Sequence, residues 1–324
     1  MCREVLGLSN AETELDESLV IGGDLAVRRL GYGAMGLTGR GIWGEPRAPD
    51  EAWAVLRRAV QLGVNFIDTA DSYGPAVSER LIAEALQPYP DDLVIATKGG
   101  YRRPGPGRWQ PAGRPEDLRA ACEGSLQRLG LDRIDLYQLH TVDPQVPFED
   151  SVGALADLQR EGMIRHVGLS NVSVAQIEEA TKIVRVETVQ NRYNVVERGS
   201  EDVLRLCERE RIALICWQPV DRGLLGGSGR LGRTARSHET SPTRIALAWL
   251  LHRSSVTLPI PGTLSLEHLE ENVAALELRL TDAERAALDG YSVPRRDRLR
   301  RNVGRAIRRA GVGLARGERR LRSS

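Results

Sequence analysis

The sequence predicts an α/β chain of the TIM-barrel class, a single (β/α)8 domain. Three observations carry this. Short β-rich runs alternate with helical patterns eight times between Arg29 and about Leu280. Strands separated by helices imply parallel pairing through crossovers. Eight such units over roughly 250 residues match the size of a closed barrel rather than an open sheet. Gly31-Tyr32-Gly33-Ala34-Met35-Gly36 has the glycine spacing of a dinucleotide loop. The loop-like Leu37-Thr38-Gly39-Arg40-Gly41 follows it, where a doubly wound fold would open a helix.

The elements follow in order. Ile21–Arg28 is expected to form a hairpin lid at the barrel bottom, and the first barrel strand is Leu30–Gly33. Pro49-Asp50 opens a helix to Leu62, with Ala52, Val55, Leu56 and Val60 on one face and Gly63 after its end. Strands Val64–Asp68 and Leu93–Thr97 come next. A second helix opens at Arg114-Pro115-Glu116-Asp117, with Leu118, Cys122, Leu126 and Leu129 among its apolar positions. Strands Ile134–Leu139, Ile164–Gly168, Thr188–Asn191 and Ala213–Trp217 continue the series. Ser241-Pro242, an N-cap with Pro at N1, precedes the helix through Ile245–Leu251, and Val256–Ile260 is the eighth strand. A last helix covers Asp282–Leu288. The expected organisation is an N-terminal extension (1–23), the barrel (24–293) and a basic tail (294–324).

Composition narrows the function. No apolar stretch approaches the ~20 residues of a membrane span, and the acidic segment Met1–Val20 lacks a secretory h-region. Cys2, Cys122, Cys207 and Cys216 show no metal-like spacing, so they read as reduced thiols of a cytoplasmic protein without a metal site. The net charge of +1 hides an asymmetry. Residues 294–324 carry twelve Arg against Asp297 and Glu318, a net of +10, and leave −9 on the rest. Leu299, Val303, Ile307 and Ala310 recur there at roughly helical spacing. An appendage folding back on the acidic body is favoured over a nucleic-acid or membrane contact.

Barrel chemistry gathers at the C-terminal ends of the strands. Asp68, Lys98 and His140 occupy three consecutive strand ends, and Tyr73 follows in the short loop Asp68–Gly74. Lys98 is one of only two lysines in an arginine-rich chain, which suggests that this position needs a compact ammonium. The four suit proton donation to a carbonyl. An ammonium beside a phenol is expected to lower its pKa from about 10, and a carboxylate holds the ammonium. Asp71 is expected nearer solvent, beyond the strand end.

These motifs resemble the aldo-keto reductases, from Arg29 to about Tyr291. The resemblance rests on Gly63-Val64-Asn65-Phe66-Ile67-Asp68-Thr69-Ala70-Asp71-Ser72-Tyr73-Gly74 and Asp135-Leu136-Tyr137-Gln138-Leu139-His140. Gly168-Leu169-Ser170-Asn171 and Gln190-Asn191-Arg192-Tyr193-Asn194 add to it. It implies a tetrad in which Tyr73 is the general acid, Asp68 and Lys98 tune it, and His140 orients the carbonyl. It further implies a hydride-donating nicotinamide held by Ser170, Asn171 and Gln190 and stacked on Trp217. Gly33, Met35 and Asp68 lie beside that site, and the loop with Pro219, Gly223 and Leu225 wraps the pyrophosphate.

At the adenosine end, Gly262 and His268 stand where many family members carry Lys and Arg, while Thr263, Glu271 and Asn272 match. The Ile260-Pro261-Gly262-Thr263 version resembles bacterial branches akin to pyridoxal reductases. The implied cofactor is NADPH, with NADH as the alternative, and the implied substrate is a small carbonyl compound such as a pyridoxal-like aldehyde. Trp43 and Trp109 are candidate substrate-facing aromatics, in the loops Thr38–Trp43 and Tyr101–Gln110 that are expected to set substrate choice. The competing functions are a cofactor-loaded regulatory subunit and a sugar-modifying oxidoreductase of a biosynthetic pathway. A monomer and a homo-oligomer are both compatible with the sequence.

Overall fold

The structure is a computed structural model, and it describes residues 17–221 and 229–291. A hairpin of β1 (Ser18–Ile21) and β2 (Leu25–Arg28) comes first, turning at Gly22 and Gly23, both at positive φ. It starts earlier than the sequence suggests, so a boundary at Gly23 would fall within it. Ile21, Leu25 and Val27 pack into one apolar cluster with Phe66, Val94, Leu136, Ile215 and Leu258. The Asp24 carboxylate receives Arg165 at 2.6 Å and lies 2.6 Å from His166 Nε2, on the first turns of a barrel strand. The hairpin therefore plugs the end opposite the strands' C-termini.

Eight strands form one parallel curled sheet. They are β3 (Tyr32–Gly33), β4 (Phe66–Asp68), β5 (Val94–Gly99), β8 (Ile134–Leu139), β9 (Ile164–Ser170), β10 (Val186–Arg192), β11 (Ala213–Trp217) and β12 (Thr257–Pro259). The sheet edges meet, because Gly31 N donates to Pro259 O (3.0 Å) and Gly33 N to Pro261 O (3.2 Å). The segment after β3 is a short 3-10 turn, Ala34–Leu37, rather than a phosphate-binding helix.

The helices begin where local chemistry starts them. In α1 (Pro49–Gln61) Pro sits in the first turn with Asp50 and Glu51, and Ala52, Val55, Leu56 and Ala59 are buried. The next helix is α2 (Val77–Leu86). α3 (Pro115–Leu129) ends at Gly130 in the left-handed region. α4 (Phe148–Arg160), α5 (Val174–Ala180), α6 (Glu201–Glu210) and α7 (Gly229–Ser237) follow. The Ser241 hydroxyl caps α8 (Pro242–Arg253), whose run Ile245–Leu251 is buried on every face. α9 (Leu266–Val273) and α10 (Asp282–Asp289) complete the series, the last opened by a Thr281/Glu284 capping box.

One element departs from expectation. Residues 101–110, expected as a free substrate loop, form a β-hairpin of β6 (Tyr101–Gly105) and β7 (Arg108–Pro111). Its Pro and Gly residues mask the strand signal, because pairing of so short a ribbon needs only a few ladder bonds. Among the described residues, no helix is long and apolar enough to cross a membrane, and no His, Cys, Asp and Glu cluster could hold a metal. The basic tail, the first sixteen residues, Gly223 and Leu225 lie outside the described residues.

Candidate active site

Side chains alternate along a strand, so parity decides which ones enter the barrel. Val94 and Ala96 belong to the inner cluster with Phe66 and Leu136, while Ile95 and Ile67 face the helices. Two residues further, the same parity brings Asp68, Lys98 and Gln138 inward. Ile215 carries it to Trp217 on β11. The polar groups thus gather at the open end, around a cavity of about 440 Å³.

Lys98 is fully enclosed. Its Nζ donates to Asp68 Oδ1 and Thr69 O, both at 2.7 Å, and lies 3.5 Å from the Tyr73 hydroxyl. The second Asp68 oxygen accepts from Gln190 Nε2 (2.7 Å) and Gln138 Nε2 (3.2 Å). Burial pulls the Lys98 ammonium down, but Asp68 and then Tyr73 together outweigh it and hold the ammonium above its usual range. For Tyr73 the outcome differs from the sequence expectation. Burial raises the phenol above 10, and the attraction of Lys98, opposed by Asp68, does not bring it back. The reason is local neutrality: the ammonium is already paired with a carboxylate at 2.7 Å.

His140 completes the group. Its backbone N–H donates to Gly99 O at 2.8 Å, its carbonyl accepts from Asn171 Nδ2 at 3.2 Å, and its Nδ1 lies 3.3 Å from Ser72 Oγ. Burial, then Lys98 and Arg103, keeps the imidazole well below its ordinary value, hence neutral at neutral pH. Around it stand Tyr101 (4.8 Å between ring centroids), Tyr73 (5.7 Å) and Trp109 (6.2 Å), all edge-on. Tyr101 and Gln138 belong to this site although sequence reasoning passed over both. Gln138 was detectable as the residue two before His140, on the same strand face. Tyr101 carried no signal, because its hairpin was unrecognised.

The opposite wall holds Gly33, Met35, Ser170, Asn171, Gln190, Trp217, Pro219 and Gly262. The amide groups there have fixed orientations. Gln190 Nε2 faces Asp68, and Asn171 Nδ2 faces the His140 carbonyl and Ser170 Oγ. Carboxylates and carbonyls only accept, so each nitrogen is turned away and Gln190 Oε1 and Asn171 Oδ1 remain without a hydrogen bond among the described residues. The Ser170 hydroxyl is spent on Gln190 O at 3.0 Å. This trio therefore offers acceptors. Among the described residues, the buried Trp217 Nε1 has no hydrogen-bond partner.

Other candidates lie apart. Trp43 does not line the cavity. It bridges to Gly74 and packs 5.6 Å from the Arg103 guanidinium. His268 is exposed on α9, where its N–H is capped by Ser265, while Asn272 is buried and Glu271 half-buried on the same helix. Thr263 O accepts from Tyr32, and its hydroxyl accepts from Ser265 N. Gly262 is sterically required: a Cβ there would lie 2.3 Å from Gly33 O.

Asp71 is not turned to solvent. Its N–H donates to Lys98 O and its carbonyl accepts from Ala76, which folds the loop back over β5. The carboxyl Oδ1 is shielded and, among the described residues, without a partner. Burial, then repulsion from the buried Glu79, pushes this carboxyl up to about 7 against the pull of Arg128 and Ser72. The folded state therefore holds a proton that the unfolded chain releases near pH 4, and stability falls as pH rises from about 4 to 7. Asp71→Asn removes the penalty, on the order of 4 kcal/mol at its upper bound. Thermal melts of both proteins should show an advantage for Asn that grows between about pH 4 and 7 and then levels off. An advantage independent of pH would mean that Asp71 titrates normally.

Residues 29–292 match the model of the aldo/keto reductase family. An uncharacterized oxidoreductase of Schizosaccharomyces pombe is 49% identical over 82% of this chain and 87% of its own. Pyridoxine 4-dehydrogenase of Escherichia coli is 44% identical over 83% of this chain and 96% of its own. Among solved structures, an aldo-keto reductase from Klebsiella pneumoniae in complex with NADPH superposes with a TM-score of 0.73. It is 26% identical, and the match covers 87% of this chain and 97% of that one.

Proposed function

The chain belongs to the aldo/keto reductase family and is an NAD(P)H-dependent oxidoreductase; from that premise we propose that it uses NADPH to reduce an aromatic, pyridoxal-like aldehyde to its alcohol. The observation that carries the reading is the enclosed Lys98–Asp68 pair directed at the Tyr73 hydroxyl, at the floor of an aromatic-walled cavity. The 440 Å³ space is of the size that small ligands occupy. Free buried thiols at Cys122, Cys207 and Cys216 fit a cytoplasmic location.

The residues on the far wall fit a nicotinamide. Gln190 Oε1 and Asn171 Oδ1 are the acceptors a carboxamide NH2 needs, and Trp217 offers a ring face in the same cavity. Pro219 and Gly262 would flank the rest of the dinucleotide. When bound, the nicotinamide supplies the hydride.

The chain's own residues handle the carbonyl oxygen. With the Ser72 hydroxyl donating to Nδ1, neutral His140 carries its proton on Nε2 and orients the substrate oxygen toward Tyr73. Tyr73 then gives up its proton. A phenol raised above 10 stays protonated through the neutral range, so the donor is always loaded. The alkoxide it meets is the stronger base, so the transfer runs downhill. Lys98 stabilises the phenolate left behind, and Asp68, held by Gln138 and Gln190, fixes the ammonium. The Tyr101 and Trp109 rings favour a flat aromatic substrate.

The test is NADPH oxidation with pyridoxal, benzaldehyde and a keto-sugar, and the reverse reaction with pyridoxine and NADP+. Turnover should be best with pyridoxal. No turnover with any of the three would refute the reductase reading. Cofactor choice gives a separate expectation. With Gly262 and the exposed His268 in place of Lys and Arg, the 2′-phosphate loses one or two charge-assisted bonds, ~1.5–3 kcal/mol each. Titration by Trp217 fluorescence should give a modest preference for NADPH, and tighter NADH binding would overturn it.

A further inference from the structure

Arg103 is a buried cation that takes no direct part in the reaction, although its charge adds to those that keep His140 neutral. Its guanidinium pairs with no carboxylate among the described residues, and burial holds it below its usual range. Leaving a buried charge without a counterion is costly, so its placement calls for a cause.

The cause lies in the β6–β7 hairpin. Arg102 pairs with Gln110 and Gly105 with Arg108, so Arg103 and Pro104 together oppose Trp109. Two residues facing one is a β-bulge, a device that re-aims a side chain, and Pro104 lacks the N–H that regular pairing would require. The re-aimed guanidinium lies 3.7 Å from the Trp109 ring centroid. Its N–H groups donate to three carbonyls from three separate segments. These are Arg108 O (3.1 Å) in the hairpin, Ser72 O (2.8 Å) in the peptide before Tyr73, and Ile42 O (3.0 Å) in the loop before Trp43. Ile42 holds φ at +59°, costly for a β-branched residue, and its carbonyl meets Arg103. A planar fork suits this task, since it reaches several acceptors in one plane while stacking on a ring.

We propose that Arg103 is a positioning residue that clamps these three segments and holds Trp109 as the substrate wall, thereby setting the preference for aromatic over aliphatic aldehydes. The proposal rests on the reductase reading above. Tyr73 and His140 would still act in its absence, while the aromatic partner of the substrate ring would be lost.

The test compares kcat/KM for benzaldehyde with that for propanal, per NADPH-titrated site. Arg103→Met should lower this ratio about tenfold or more, chiefly through the KM for benzaldehyde. NADPH affinity and the KM for propanal should stay within about threefold, and any fall in kcat should be shared by both aldehydes, a split that general loosening of the fold would not produce. Arg103→Lys should not rescue, because an ammonium cannot span three carbonyls and stack as well. Trp109→Leu should lower the ratio similarly, and the double variant should lose no more than Trp109→Leu alone. A parental ratio in either Arg103 variant, or additive losses in the double variant, overturns the proposal. Should the Arg103 variants not fold, a parental ratio in Trp109→Leu would also overturn it. A parent enzyme that reduces neither aldehyde would instead refute the reductase reading.

Discussion

Tyr73→Phe is expected to abolish carbonyl reduction while leaving NADPH binding intact. The substitution keeps the ring, its edge contacts with His140 and Trp109, and the burial of the site. It deletes the proposed proton donor alone, so the reduced carbonyl oxygen must find a proton elsewhere. General acid catalysis is typically worth ~10²–10⁴-fold, and the loss should appear in kcat. Cofactor titration should be unaffected, because Ser170, Asn171, Gln190 and Trp217 lie on the other wall. Reduction near the parental rate would mean that Tyr73 serves packing only and that another group supplies the proton.

Lys98→Met should have the second largest effect, on stability as well as turnover. Methionine fills much of the same enclosed volume but leaves the Asp68 carboxylate without its counterion. Breaking a buried ion pair by removing one partner costs about 3–5 kcal/mol. For a chain of this size that corresponds to a fall of about 4–7 °C in the melting midpoint. Lys98→Arg should not restore activity, since a planar fork cannot sit among Asp68 Oδ1, Thr69 O and the Tyr73 hydroxyl without displacing one of them. Calorimetry and steady-state rates check both points. A Met variant as stable as the parent would show that the pair contributes no net energy.

Much of this site was legible because it obeys strand periodicity. Asp68, Lys98, His140, Ser170 and Gln190 sit at or near the ends of strands, and position in a strand is what hydrophobic patterns reveal best. The same parity points to Gln138, whose amide supports Asp68, but only once the inner face is known. Features made by long-range folding were not legible. The inward turn of Asp71 follows from loop hydrogen bonds to β5, and the rise of the Tyr73 phenol follows from burial that no local pattern measures. Arg103 lay within a stretch so rich in Pro and Gly that a bulged hairpin read as an open loop. Trp43 looked like substrate-facing aromatic surface and instead backs Arg103.

The plug formed by β1 and β2 has a consequence for molecular traffic. With Ile21, Leu25 and Val27 seated in the barrel interior, the reaction chamber is a cul-de-sac. Product must retreat along the route by which substrate came, past Tyr101 and Trp109 and beside whatever occupies the opposite wall. Among the described residues, entry and exit therefore share the doorway beside the β6–β7 hairpin, where Tyr101 and Trp109 line the cavity.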